Sequence, residues 1–241
     1  MISDTVKIEN KNNVRMIAHR GLSGLECENT CSAFVAAGNR SYFGIETDIH
    51  VTKDGEFAVF HDDSTGRLCD KDINVESSTY DELFSLILKN TDDTERKDLR
   101  IPKLSEYISI CKKYGKTAIL EIKNPFSKEN LEKVIEQIKA LDYIDGVVFI
   151  SFVLDNMITL RELLPDARLQ FLFAKMSENV FDVLRQYHFD ADVYYELITK
   201  EFVDRVHSIG QKVNVWTVNS TDVAKHVIEC GVDYITTNIL E

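Results

Sequence analysis

The sequence predicts an α/β fold: a TIM (β/α)8 barrel with a small insertion after the second strand and a truncated eighth helix. Three observations predict it. Short apolar, partly β-branched segments alternate with helical ones over most of the chain. Eight strand segments remain once a local hairpin is set aside, each but the last followed by a helix. No Gly-x-Gly-x-x-Gly follows the first strand, which argues against the competing doubly wound open sheet.

The elements follow in order. Residues 14–19 (VRMIAH) form the first strand, and 30–40 a helix capped by Asn29 or Thr30. Residues 43–52 (FGIETDIHVT) form the second strand. Asp54-Gly55 then turns the chain into "FAVFHD", 57–62, an antiparallel excursion and not the next barrel strand. The segment 53–100 is the insertion, with a short helical piece in "TYDELFSLIL" and a charged, solvated stretch in "LKNTDDTERKDLR". After Pro102 the alternation is regular. Helix 104–114 leads to strand 117–123, 128–141 to 147–152, 154–164 to 168–173, and 177–188 to a short strand near 192–196. Helix 199–209 leads to 212–218, and 221–230 to 233–237. The whole chain, 1–241, reads as a single domain with the insertion inside it, and 241 residues bury a sizeable core without disulfides.

A net charge of −12 excludes the basic faces that nucleic acid and anionic membranes select. Five cysteines without a paired spacing read as reduced thiols of a cytoplasmic protein, not a zinc site or disulfide framework. The N-terminal "MISDTVKIENKNN" lacks the apolar run of a signal peptide, and no stretch is long enough to anchor in a membrane. The oligomeric state is not set by the sequence.

Residues i and i+2 of a strand share a face. Glu46 and Asp48 therefore point one way, and Ile45, Thr47 and Ile49 the other; Glu121 and Lys123 likewise oppose Leu120 and Ile122. A single acid in such a place reads as a surface or salt-bridged group. Two strands that break an apolar pattern with same-face carboxylates read as a site, because a buried carboxylate is costly unless paired or bound to metal. Glu46, Asp48 and Glu121 together make an oxygen-ligand set for a hard cation, Mg²⁺ or Ca²⁺. His19 ends the first strand and His61 the hairpin arm, where this fold collects its active sites, so they are the candidate general acid and base. Arg20 and Lys123 supply fixed positive charge for a phosphoryl oxygen, or else pair with the three acids. Trp216, on a face with Asn214 and Val218, floors a substrate pocket or fills core. Ser151 has no Gly-x-Ser-x-Gly elbow and is assigned no nucleophilic role.

These motifs, "AHRG", "ENT", "GIETDIHVTKDG", "VFHD", "LEIK" and "VWTVN", come in the order of the glycerophosphodiester phosphodiesterase family, which the chain resembles over residues 17–219. The resemblance implies a TIM barrel with an insertion after strand two. It implies catalytic histidines at His19 and His61, one divalent metal ion on Glu46, Asp48 and Glu121, phosphate contacts from Arg20 and Lys123, and Trp216 near the glycerol end. The implied reaction is hydrolysis of a small-molecule glycerophosphodiester to sn-glycerol 3-phosphate and an alcohol. Lysophospholipase D-like cleavage and a non-catalytic phosphate-binding barrel are the alternatives. Cys27 stands where the family has Pro, "DSTGRLCD" replaces an Arg-Thr-Thr stretch, and Thr237-Asn238-Ile239 replaces Thr-Asp-x-Pro, so the alcohol is left open.

Overall fold

Eight parallel strands close on themselves. In order they are β1 (Arg15–Ala18), β2 (Gly44–Val51), β4 (Thr117–Ile122), β5 (Val147–Ser151), β6 (Arg168–Phe173), β7 (Asp190–Tyr194), β8 (Val213–Trp216) and β9 (Tyr234–Thr237). β1 pairs with both β9 and β2, which completes the ring, and β3 (Phe57–Val59) lies antiparallel on β2 as the Asp54-Gly55 turn requires. The computed structural model describes residues 4–92, 94 and 96–241. Asp93 and Glu95 of the charged stretch, and residues 1–3 of the N-terminal stretch, lie outside them.

Helices α1 (Cys31–Gly38), α3 (Leu104–Tyr114), α4 (Lys128–Ala140), α5 (Leu154–Leu163), α6 (Val180–Tyr187), α7 (Lys200–Ser208) and α8 (Thr221–Cys230) alternate with the strands, and α2 (Tyr80–Phe84) belongs to the insertion. Outward strand residues such as Ile45, Ile49, Leu120 and Ile122 pack with the helices in one continuous apolar layer. Tyr107 on α3 crosses this layer and donates from its hydroxyl to the carbonyls of Ile45 (2.7 Å) and Ile119 (3.2 Å), tying α3 to β2 and β4. The barrel interior is different. Ile17, Ile119, Val148 and Tyr234 fill it with Phe43, and Ile150, Leu172 and Trp216 belong to the same cluster. Carboxylates and amides share the interior faces of the strands, and they make the site.

Among the described residues no helix follows β9. Instead Ile8 and Val6 donate from their amides to the carbonyls of Glu241 (2.8 Å) and Ile239 (3.0 Å), and Ile8, Ile239 and Leu240 join the outer apolar layer. The insertion builds a small apolar cluster of its own around Phe60, Val75, Leu83, Leu99 and Ile101, and Cys27 from the β1–α1 loop is buried in it. Among the described residues no helix is long and apolar enough to cross a membrane.

Three local expectations shift. The arm 57–62 ends as strand at Val59, because the Phe60 amide turns back to the Asp48 carbonyl and the chain leaves the sheet. The strand expected near 192–196 is β7, 190–194, followed by a single 3-10 turn over Tyr195–Leu197. Its first residues, Asp190-Ala191-Asp192, carry no apolar alternation. Val218 lies past the end of β8 and packs in the outer layer, so Trp216 shares the interior face with Asn214 alone.

Candidate active site

The C-terminal ends of the strands converge on a cavity of about 100 Å³ lined by His19, Arg20, Glu46, His61, Glu121, Trp216 and Asp192, among others. Asp48 and Lys123 stand behind that lining and are joined to it. Every residue singled out from the sequence is therefore in one place, six at the wall and two in support.

The turn after β1 sets the first half of the site. The His19 amide still pairs with the Thr237 carbonyl (2.9 Å), and then Arg20 takes a left-handed conformation at φ 53°. Such a backbone disfavours a residue with a Cβ by about 1–2 kcal/mol. It turns the Arg20 amide onto Glu46 Oε2 at 2.8 Å. Gly21 follows at φ +75°, where a Cβ would meet the Ala33 backbone at 2.7 Å, so glycine is required on both counts. Thr30, not Asn29, caps α1, its hydroxyl accepting from the Ala33 amide. Asn29 is buried and left-handed, and its amide donates to Asp48 Oδ2 (2.8 Å) while accepting from the Thr47 hydroxyl (2.7 Å).

Glu46, Asp48 and Glu121 are all nearly inaccessible, and each offers an oxygen within 4.8 Å of the others. Their charges are unevenly relieved. Burial raises Asp48, but Lys123 and Arg20 outweigh it and hold the carboxyl at about 2. Burial and repulsion from Asp48 push Glu121 up to about 8, and burial with repulsion from Asp48 and Glu121 drives Glu46 well above the ordinary range. Lys123 Nζ lies 2.9 Å from Glu121 Oε1 and 3.6 Å from Asp48, yet off the hydrogen-bond direction, so that Oε1 has no hydrogen-bond partner among the described residues. Arg20 pairs with Glu28 at 2.7 Å and stands 3.7 Å from Asp48. Both cations are thus ion-paired. Three buried acids, one with an unsatisfied oxygen and two held above their ordinary range, are a donor set that fits a hard divalent cation.

The histidines are held differently. His19 Nδ1 faces Asn238 Oδ1 at 2.7 Å, so Nδ1 carries the proton and Nε2 is bare, 4.0 Å from Glu46. Burial, with Arg20 beside it, pulls its pKa down to about 4. His61 Nδ1 lies 2.6 Å from Asp62 Oδ1, and the His50 ring lies 3.3 Å from the His61 carbonyl. Burial lowers the His61 pKa, against the attraction of Asp48.

The model of the "Glycerophosphoryl diester phosphodiesterase family" matches residues 19–241. The chain belongs to this family. It is 31% identical to a glycerophosphodiester phosphodiesterase of Bacillus altitudinis, over 93% of this chain and 94% of that protein. A crystal structure of a glycerophosphodiester phosphodiesterase from Parabacteroides distasonis superposes with a TM-score of 0.80 at 26% identity, covering 94% of this chain and 93% of that one. An Oleispira antarctica phosphodiesterase, solved with its product sn-glycerol-3-phosphate, shares the fold at a TM-score of 0.81 and 23% identity, covering 93% and 92%. The chain is accordingly a phosphoric diester hydrolase of the glycerophosphodiester phosphodiesterase type.

Within this phosphodiesterase site, several residues escaped the sequence reading. Arg67, from the insertion, donates to Asp62 (2.6 Å) and to both oxygens of Glu28 (2.9 and 2.7 Å), so one guanidinium links the partner of His61 to the partner of Arg20. Asn29, Glu28, Asp62 and Asn238 stand inside quoted motifs, yet their partners lie up to 219 positions away. Ser151 donates to the Ile122 carbonyl (2.6 Å) and accepts from the Val153 amide, so its hydroxyl closes the strand end and attacks nothing.

Proposed function

We propose that this phosphodiesterase hydrolyses glycerophosphodiesters to sn-glycerol 3-phosphate and an alcohol, with His19 as general base, His61 as general acid and one divalent cation, Mg²⁺ or Ca²⁺, on Glu46, Asp48 and Glu121. The convergence of two histidines, three acids and two cations on one cavity carries the reading. A divalent ion bound there neutralises a phosphoryl oxygen and its growing charge.

The chain's own groups supply the rest. Arg20 and Lys123 hold positive charge beside the phosphoryl group, Arg20 aimed by Glu28 and Lys123 by Glu121. The nucleophile, water or the neighbouring glycerol 2-hydroxyl, gives its proton to the bare Nε2 of His19 as its oxygen bonds to phosphorus; the hydroxyl route gives a cyclic phosphate first, which water then opens to sn-glycerol 3-phosphate with the acid and base roles reversed. The phosphorus–oxygen bond to the alcohol breaks, and His61 protonates the departing oxygen. His61 suits this role because Asp62, pinned by Arg67, stabilises its cationic form. His19 suits the other because Asn238 is neutral and fixes the tautomer that leaves Nε2 free. The whole chain acts as one catalytic domain, and its five free cysteines support a cytoplasmic location.

The test is release of glycerol 3-phosphate from several headgroup diesters in Mg²⁺, Ca²⁺ or chelator, with lysophosphatidylcholine as comparison because Phe152 leaves an exposed apolar lip beside Trp216. Activity that survives chelation removes the metal from the reading. Base and acid separate with the p-nitrophenyl ester of glycerol 3-phosphate, whose leaving group needs no proton. His61→Ala is largely rescued on it, and His19→Ala is not; the reverse pattern exchanges the roles.

A further inference from the structure

Two buried polar atoms of the cavity wall take no part in the chemistry above. Asp192, 1% exposed on the interior face of β7, has a carboxylate oxygen with no hydrogen-bond partner among the described residues. Trp216, at the end of the adjacent strand β8, has a buried indole N–H in the same condition. Both residues line the cavity. Buried donors and acceptors are almost always satisfied, so an orphan acceptor and an orphan donor on adjacent strands of one pocket wall mark a ligand contact.

The pair has a specific complement. A hydroxyl group both donates and accepts, so a single one satisfies the carboxylate and the indole together. An ammonium or choline headgroup has nothing to accept the indole N–H. A buried acid also resists the ionised form that such a cation wants: burial pushes the Asp192 carboxyl up to about 7, against the Asn214 amide. The place in the barrel says which hydroxyl. In the ring of eight strands, β7 stands directly across from β2, which carries Glu46 and Asp48. Asp192 therefore faces the far end of whatever has its phosphate at those acids. At roughly 10–15 Å³ per water-sized position, a cavity of about 100 Å³ has room for a glycerol unit.

We infer that Asp192 and the Trp216 indole N–H bind the terminal hydroxyl of the substrate's glycerol unit and make the enzyme demand it. This rests on the glycerophosphodiester reading and adds to it the two atoms that read the polyol. A site built to bond a substrate hydroxyl rejects the analogue lacking it by large factors, because its own buried polar groups are then left unpaired.

The experiment compares kcat/KM, by choline release, on glycerophosphocholine and on propane-1,2-diol 1-phosphocholine, the 2-hydroxypropyl ester, which keeps the 2-hydroxyl and lacks the terminal one. The wild-type enzyme prefers the first by about 100-fold or more. Asp192→Leu loses rate on the first and brings the two within a few-fold. Asp192→Asn, which keeps an acceptor, falls between. Trp216→Phe, which keeps the ring and removes the N–H, also narrows the preference. Thermal melts separate a structural role: deleting an unpaired buried acid leaves the melting temperature unchanged or raised. An Asp192→Leu enzyme that keeps the wild-type preference, or one that melts lower and loses both substrates in equal proportion, overturns the assignment while the phosphodiesterase reading stands. Wild-type protein that releases no glycerol 3-phosphate from any diester overturns both.

Discussion

Glu121→Gln tests the three-acid centre through stability as well as rate. Glu121 is buried beside Asp48, and its pKa is pushed from 4.5 up to about 8. The folded, metal-free protein thus keeps a proton that the unfolded chain releases near pH 4.5. Stability is complete below that pH and declines as pH rises towards 8, by an amount on the order of a few kcal/mol. Glutamine has no proton to hold, and the variant escapes the decline. Lys123 loses its 2.9 Å partner and takes back part of the gain. The expected net gain at pH 8 in chelator is ~1–2 kcal/mol, a rise of ~2–8 °C in Tm for a chain of this length. At pH 5 the two proteins melt nearly together. Metal reverses the order: at a hundred times Kd it adds ~2.7 kcal/mol to wild type, or ~5–11 °C, and most of that shift vanishes in the variant. Calorimetric melts at pH 5 and pH 8, in chelator and in excess Mg²⁺ or Ca²⁺, read all four conditions. A variant that melts below wild type in chelator at pH 8 and keeps the full metal shift refutes the reasoning.

Three further outcomes follow from named contacts. Burial raises Glu241, but Lys7 at 2.7 Å and the hydroxyls of Ser41 and Thr5, each at 2.6 Å, hold it at about 2, so its stabilisation is present above pH 4.5 and lost as pH falls towards 2. Glu241→Gln lowers the urea midpoint at pH 7 by the equivalent of ~1–3 kcal/mol, and the gap closes by pH 2.5. Arg67→Ala frees Asp62 and Glu28 at once and lowers kcat by ~10-fold or more, with little loss of Tm because the side chain is half exposed; unchanged kcat removes Arg67 as a positioning residue. Gly21→Ala forces a Cβ to 2.7 Å from the Ala33 backbone at φ +75° and costs ~2 kcal/mol or more, read as a Tm lowered by at least ~4 °C.

The barrel was legible because each strand but the last is followed by a covering helix, so its outward residues are apolar and the alternation survives in one dimension. The three acids were legible for the converse reason: at Glu46, Asp48 and Glu121 a same-face pattern breaks inside apolar strands. Asp192 breaks a pattern too, but at a strand start with Asp190 two residues before it, where a polar run looks like a loop. Asn29 and Thr30 are equally good caps by residue type, and only the distance to Asp48 shows that one serves the helix and the other the site. The Arg67 link to Glu28 spans 39 positions and the His19 link to Asn238 spans 219, separations that no periodicity records. The place of the eighth helix was open for the same reason, since pairing between residues 6–8 and 239–241 has no local signature.

The charge at the centre explains why the acids and cations occur together. Three carboxylates against Arg20 and Lys123 leave one formal negative charge, and burial together with that surplus raises Glu46 and Glu121 until they take up protons. With both protonated the centre carries one net positive charge, but neither glutamic acid then ligates a metal. A divalent cation in place of the two protons would keep that net charge, equal and opposite to the substrate's, and concentrate it on the ion. The same two side chains then change partners in effect: Arg20 and Lys123, which temper the acids before the metal binds, have charge to spare for the phosphoryl oxygens afterwards. Replacing either by a neutral residue is therefore expected to weaken substrate binding while strengthening metal binding, since one cation fewer repels the ion. Lys123→Met, assayed for KM by glycerol 3-phosphate release and for metal affinity by calorimetry, separates the two effects. A loss in both together would mean that Lys123 only holds the acids in place.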